Sequence, residues 1–101
     1  MTASIKIVAT LVVQPEYRQE LLEVFQQLVQ ASRQEAGNIS YDLHEALDNA
    51  NKLVFIEHWK SQAAIDEHNA SAHFQAFVKA IDGKTDSLDI VLMQEISPSV
   101  N

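Results

Sequence analysis

The sequence predicts a single α+β domain, over residues 1–101, in which helices cover one face of an antiparallel sheet. Two observations support this prediction. Strand-length β-branched segments and helix-length amphipathic segments follow one another in the order β-α-β-β-α-β. The chain contains only two Gly and two Pro, which leaves little room for linkers. This order is the ferredoxin-like arrangement, a four-stranded antiparallel sheet with its helices on one face.

The first half of the chain predicts a strand, a helix and a second strand. Ile5–Val13 is apolar on both of its alternating faces, as a central strand is. Pro15 suits the first residue of a helix, and Gly37 suits the position just after its end. Ile39–Leu47 alternates between an apolar and a polar face, which is typical of an edge strand.

The third strand predicts that the sheet has a partner. Asp48–Asn51 has turn chemistry, so a hairpin should lead into a strand at Leu53–Trp59. In that strand Val54 and Ile56 lie on the face opposite to Phe55, so both faces are apolar. Because helices cover only one face of this fold, we expect a homodimer formed through the open sheet face. A monomer with a mildly apolar open face is the alternative.

The second helix is predicted to be broken in two. Ser61 can cap a short helix that runs to about Asn69, and Ser71 can cap another that ends before Gly83. A final strand is expected at Leu88–Ile96.

The composition excludes several classes of function. The formal net charge is -7, and the few Lys and Arg residues are scattered, so no basic surface for nucleic acid or a membrane is expected. The absence of Cys excludes disulfides and thiolate catalysis and suits a cytoplasmic protein. The apolar segment Ile5–Val13 is too short to span a bilayer. No phosphate-binding Gly-rich loop supports a nucleotide cofactor.

Ionisable and aromatic residues are concentrated between Phe55 and Phe77, at a predicted strand–helix junction. This segment contains the only Trp and three of the four His residues. His68 lies near the predicted helix break and titrates near neutral pH, which suits a catalytic base. Glu57 is an acid in an apolar strand, where burial would raise its pKa. Each residue could instead have a structural role: His68 could cap the helix break, and Glu57 could be a structural hydrogen-bond partner.

Nearby side chains are candidates for contacts with a substrate. Trp59 shares a face with Glu57 and could stack on a flat substrate or simply pack in the core. Whether Glu57 lies beside Tyr41 or beside His44 depends on the hairpin register. We expect His44 and His58 to face solvent or a partner subunit. The expected substrate-binding residues are Trp59, Tyr41, Phe55 and His73.

The spacing of the candidate ligands does not predict a metal site. Glu57 and His58 are adjacent in a strand and point in opposite directions. His68 and His73 are five residues apart across a predicted helix break, and no HExxH motif is present. We therefore expect neither a metal nor another cofactor.

Three stretches of the chain resemble the antibiotic biosynthesis monooxygenase family. They are GNISY at 37–41, FIEHWKS at 55–61, and the set Ala64, His68, Ser71, His73 and Phe74. The resemblance covers nearly the whole chain and implies a dimeric α+β barrel. The haem-degrading branch of the family uses an Asn, a Trp and a His that this chain lacks at the corresponding positions, so haem degradation is not expected.

The resemblance implies a cofactor-independent monooxygenase that acts with O2 on a small electron-rich phenol or quinol. His68 would be the base or proton relay, and Glu57 would assist it. One alternative is an acid–base isomerase of a small enolisable carbonyl compound. Its phosphorylated substrates would call for basic residues, and Lys52 and Lys60 are not distinctive. Another alternative is a non-catalytic dimeric binding module.

Overall fold

A computed structural model describes residues 4–97 and confirms the ferredoxin-like α+β fold. The four strands form one antiparallel sheet in the order β2-β3-β1-β4. The elements are β1 (Ile5–Val13), a 3-10 turn (Pro15–Tyr17), α1 (Arg18–Arg33), β2 (Asn38–Ala46), β3 (Asn49–Trp59), α2 (Gln62–Ala70), α3 (Ala72–Ile81) and β4 (Thr85–Met93). None of the helices within residues 4–97 is long and apolar enough to cross a bilayer.

Helix α1 buries an apolar stripe against the sheet. Leu21, Phe25 and Leu28 recur at helical spacing and are almost fully buried. The Phe25 ring lies 5.3 Å from the ring of Phe55 in β3 and 5.5 Å from that of Phe77 in α3. Burial of each such large side chain contributes roughly 1.5–3 kcal/mol. This contact joins the sheet and two helices in one core.

Gly37 does not cap α1, so that prediction was wrong. Pro15 begins a 3-10 turn, and the α-helix itself spans Arg18–Arg33. Of the glycines, Gly83 has a positive φ, of 74°, and Gly37 does not. A Cβ atom at Gly37 would lie 2.3 Å from the Cβ of Ala64 in α2. Glycine is needed there because α2 packs directly on the backbone.

Two strands begin earlier than the sequence predicted. β3 begins at Asn49, since its polar residues continue the hydrogen-bond ladder of the hairpin. β4 spans Thr85–Met93 and also ends before the predicted Ile96, because it pairs with residues 6–13 of β1. In the β2–β3 ladder Tyr41 is the partner of Glu57, which settles the register and places both on the helix-covered face.

Ser71 divides the second helix, as predicted. Its Oγ accepts a hydrogen bond of 3.2 Å from Phe74 N at the start of α3. The same hydroxyl donates a hydrogen bond of 2.6 Å to the carbonyl of His68 in the last turn of α2. Ser61 caps α2 in the same way, with Oγ 3.1 Å from Ala64 N. Both cap predictions are therefore confirmed.

The sheet face opposite to the helices carries exposed apolar side chains. Ile56 in β3 and Val91 and Met93 in β4 are all exposed. Every residue of β4 is at least partly exposed, and Ile90, on its helix-side face, is 48% exposed. The sheet therefore presents apolar surface at β4 and on its uncovered face.

Candidate active site

A cavity of about 330 Å³ lies between the sheet and the α2–α3 pair. Apolar residues of β1, β3, β4 and α3 form most of its walls. No Lys or Arg from the described part of the chain lines it. Its polar lining residues are Tyr41, Glu57, Gln62, His68, Asn69 and Gln75. A cavity with few polar groups among apolar walls is the usual form of a small-molecule site.

His68 is a buried imidazole with one ring nitrogen bound and one free. It is 2% exposed, and its Nδ1 lies 2.6 Å from Oε2 of Glu35. Nε2 is buried and has no hydrogen-bond partner among residues 4–97. Because a carboxylate only accepts hydrogen bonds, we assign the ring hydrogen to Nδ1 and the lone pair to Nε2. Nε2 is therefore the ring atom with an unused lone pair.

The environment of His68 favours its neutral form. Burial lowers the pKa of His68, and the hydrogen bond that its Nδ1 donates to Glu35 opposes this effect only in part. A neutral imidazole with a free Nε2 can accept a proton at neutral pH.

Glu35 is the site residue that the sequence analysis missed. It lies between α1 and β2, and its Oε2 is also 2.8 Å from Nε2 of His73. Two His residues from different helices thus converge on one carboxylate oxygen. Their separation of five residues in sequence does not keep them apart, because the chain changes direction at Ser71. No local pattern could reveal Glu35, which lies 33 residues from His68.

Glu57 is a buried acid held by an indole. It is 5% exposed, and its Oε1 accepts a hydrogen bond of 2.9 Å from Nε1 of Trp59. Burial raises the pKa of Glu57 to about 7, although the Trp59 hydrogen bond opposes the rise. Near neutral pH this carboxyl group can therefore both give and take a proton.

Aromatic rings surround the His68 imidazole. The ring centroid of Trp59 is 4.6 Å away, that of Phe74 is 5.0 Å away and that of Tyr41 is 5.5 Å away. Burial raises the pKa of Tyr41, and the charge of Glu57 raises it further. The Tyr41 hydroxyl therefore stays protonated and can act as a hydrogen-bond donor in the cavity.

Comparison with known proteins assigns the chain to a family. Residues 4–80 match the family model described as antibiotic biosynthesis monooxygenase. The chain belongs to this family. It is 52% identical over 66 residues to "Putative monooxygenase YcnE" of Bacillus subtilis. This match covers 65% of this chain and 70% of that protein. It is 34% identical over 74 residues to "Putative monooxygenase Rv0793" of Mycobacterium tuberculosis, which covers 73% of this chain and 72% of that protein.

A solved structure of the antibiotic biosynthesis monooxygenase family agrees with the fold. The crystal structure described as "antibiotic biosynthesis monooxygenase" superposes with a TM-score of 0.87 at 32% identity. The match covers 92% of this chain and 99% of that one. The sequence resemblance to the family is thereby confirmed.

In this family member the predicted site residues fall into two groups. Four of them line the cavity, namely His68, Glu57, Tyr41 and Phe55. Trp59 and His73 are not among the lining residues. Trp59 hydrogen-bonds to the carboxylate of Glu57, and His73 hydrogen-bonds to that of Glu35. Direct contact of these two with a substrate stays a prediction. His44 and His58 alternate with the buried residues of their strands, on the face away from the cavity.

Proposed function

We propose that this protein is a monooxygenase that transfers oxygen from O2 to a small, uncharged, electron-rich phenol or quinol without a flavin or metal. The observation that supports it most is the state of His68. Its Nδ1 is bound to Glu35, its Nε2 is free, and it lines a mostly apolar cavity. Such an imidazole can remove the hydroxyl proton of a bound phenol.

Deprotonation makes the substrate a better reductant. His68 Nε2 takes the phenol proton, and the Glu35 carboxylate stabilises the imidazolium that forms. The phenolate transfers one electron to O2, and the resulting radicals combine in a carbon–oxygen bond. Loss of water then leaves a quinone. In sum, one phenol and one O2 give one quinone and one water, and four electrons pass from the ring to oxygen.

Groups around the cavity assist these steps. Tyr41 donates a hydrogen bond to the phenolate oxygen, and its raised pKa keeps that donor protonated. Glu57 supplies the proton with which the second oxygen atom leaves as water, since its pKa of about 7 allows transfer at neutral pH. Trp59 and His73 act as positioning residues, because they hold the carboxylates of Glu57 and Glu35.

The cavity lining favours an uncharged substrate. An anionic substrate would meet the acidic Glu57 and would find no Lys or Arg from residues 4–97 on the cavity wall. This argues against the phosphorylated substrates of an isomerase. The side-chain amides of Gln62, Asn69 and Gln75 can hydrogen-bond to hydroxyl or carbonyl substituents of a neutral ring.

The uncovered sheet face supports a homodimer as the active assembly. Ile56, Val91 and Met93 would be removed from water if two copies packed their sheets against each other. Sedimentation velocity at micromolar concentration tests this proposal, and a stable monomer would overturn it. Ile56→Lys should shift the equilibrium toward monomer, because it would place a charge in the interface.

The function is tested by O2 uptake. Metal-stripped protein is assayed against a panel of neutral quinols and polyphenols, with His68→Gln measured in parallel. Uptake above the autoxidation rate that disappears in the variant supports the proposal. With 18O2, one labelled atom should appear in the product and one in water. Conversion of a substrate at the same rate under nitrogen would instead indicate an isomerase.

A further inference from the structure

Glu35, His68 and His73 form a cluster of three potential metal ligands beside the cavity. Each offers one ligand atom, and these atoms all lie within 4.8 Å of one another. The residues come from the α1–β2 connection, the last turn of α2 and the first turn of α3. Two imidazoles and one carboxylate are a ligand set that suits zinc and other late first-row divalent ions.

The geometry needs only a small adjustment to admit an ion. Oε2 of Glu35 lies 2.6 Å from Nδ1 of His68 and 2.8 Å from Nε2 of His73. Bonds of about 2.1 Å in a tetrahedral site place ligand atoms about 3.4 Å apart, so these two contacts must open by roughly 0.6–0.8 Å. The side chains of Glu35 and His73 are 18% and 27% exposed, which gives an ion and its water ligand access.

We propose that Glu35, His68 and His73 bind one divalent ion of the zinc class, and that the bound ion inhibits the enzyme. An ion on Nδ1 of His68 requires the ring hydrogen to move to Nε2. Nε2 then donates a hydrogen bond and can no longer accept the substrate proton. This inhibition rests on the proposed function, whereas the binding site rests on the geometry alone.

The position of the cluster explains why the ion inhibits. Of its three members, His68 lines the cavity, whereas Glu35 and His73 do not. The imidazole ring of His68 thus stands between the ion and the substrate. The remaining coordination position is reached from the Glu35 and His73 side, so it takes a water molecule and leaves substrate oxygens in the cavity unbound.

Metal binding is measured directly on the metal-free full chain. Co²⁺ titration is followed by the visible ligand-field bands of the ion, and Zn²⁺ affinity is measured by competition with a chromophoric chelator. One ion per chain is expected. Glu35→Gln and His73→Asn should each weaken binding by at least about 100-fold, as loss of a direct ligand exceeds the effect of losing a supporting group. His44→Asn is the matched control, since this exposed His lies outside the cluster.

The outcomes separate the site from the proposed function. Binding of less than one ion per chain, or equal weakening by His44→Asn, would overturn the site, provided that circular dichroism shows each variant folded. In the O2-uptake assay, one equivalent of Zn²⁺ should abolish turnover of the wild type, and a chelator should restore it. Unchanged turnover by the zinc-loaded protein would overturn the inhibition. If no phenol is oxidised, the proposed function fails while the binding result stands.

Discussion

The two halves of the helix-covered sheet face are packed in opposite ways. Under α1, the side chains of Leu21, Phe25 and Leu28 fill the space between helix and sheet. Under α2 and α3, the same face borders a cavity and buries two ionisable groups, His68 and Glu57. Unfilled space and buried polar groups both cost stability. The α1 half therefore contributes more to stability, whereas the α2–α3 half contains the residues of the proposed site.

The largest effect on activity is expected from His68→Gln. Glutamine preserves much of the volume that packs against Trp59 but cannot act as a base at neutral pH. Turnover of a confirmed substrate should fall about 10²- to 10⁴-fold. Thermal unfolding should show that the variant remains folded. Unchanged turnover would show that the cavity half does not use His68 as its base.

Leu21→Ala should produce the opposite result, a loss of stability with little loss of turnover. Leu21 is fully buried under α1, so the substitution should lower the free energy of unfolding by about 2–5 kcal/mol. Urea denaturation measures the loss, and kcat is compared at a temperature where both proteins are folded. Leu47→Ala is the control, because Leu47 is fully exposed in the hairpin turn and its removal should change little.

Glu57→Gln should change how stability depends on pH. Because its pKa is raised to about 7, Glu57 keeps its proton in the folded state up to about pH 7, whereas the ordinary pKa of the group is 4.5. The stability that this proton contributes is complete below pH 4.5 and is lost as pH rises through 7. Glutamine is neutral throughout, so the variant should gain about 2–3 kcal/mol relative to wild type between pH 4.5 and 8.

Urea denaturation of wild type and Glu57→Gln at both pH values tests this sign. If the free energy of unfolding of the two proteins changed in parallel between pH 4.5 and 8, Glu57 would be ionised in the folded state over this range. In that case the carboxyl group could not supply a proton at neutral pH.

Ser71→Ala should have a smaller effect on stability than Leu21→Ala or Glu57→Gln and a measurable effect on the cluster of Glu35, His68 and His73. The hydroxyl caps α3 and bonds to the His68 carbonyl, so its loss should cost about 1–2 kcal/mol. Ser61→Ala removes a cap elsewhere on α2 and should cost about 1 kcal/mol. Only the Ser71 variant should weaken Zn²⁺ binding, since this residue orients His68 relative to His73. Equal zinc affinity in both variants would show that the break itself does not position the ligands.

Local signals in the sequence predicted most of the fold. Hydrophobic periodicity located the strands and α1, and the Ser61 and Ser71 caps marked both pieces of the broken helix. Each of these features depends on residues only a few positions apart, so it can be read from the chain directly. His68 and Glu57 were also identified from local signals, His68 from the predicted helix break and Glu57 from its position in an apolar strand.

Features that depend on tertiary contacts could not be predicted in this way. Glu35 belongs to the site because the end of α1 lies against the break between α2 and α3, and its neighbours in sequence give no sign of this contact. Gly37 was interpreted as a helix cap from its position after the helical pattern. The pattern could not show that its backbone packs against Ala64, which is the reason for a glycine there. In both cases the determining partner is remote in sequence.

The contact between Gly37 and Ala64 has a consequence for how this chain can evolve. Since a Cβ at position 37 would overlap the Cβ of Ala64, the two positions cannot be enlarged independently. They should therefore covary, with a side chain at one site compensated by its absence at the other. Gly37 is in the same connection as Glu35, and Ala64 is in the same helix as His68. Enlarging either position should therefore move this connection relative to α2, and with it the Glu35 carboxylate relative to the His68 imidazole, without replacing any residue of the candidate site.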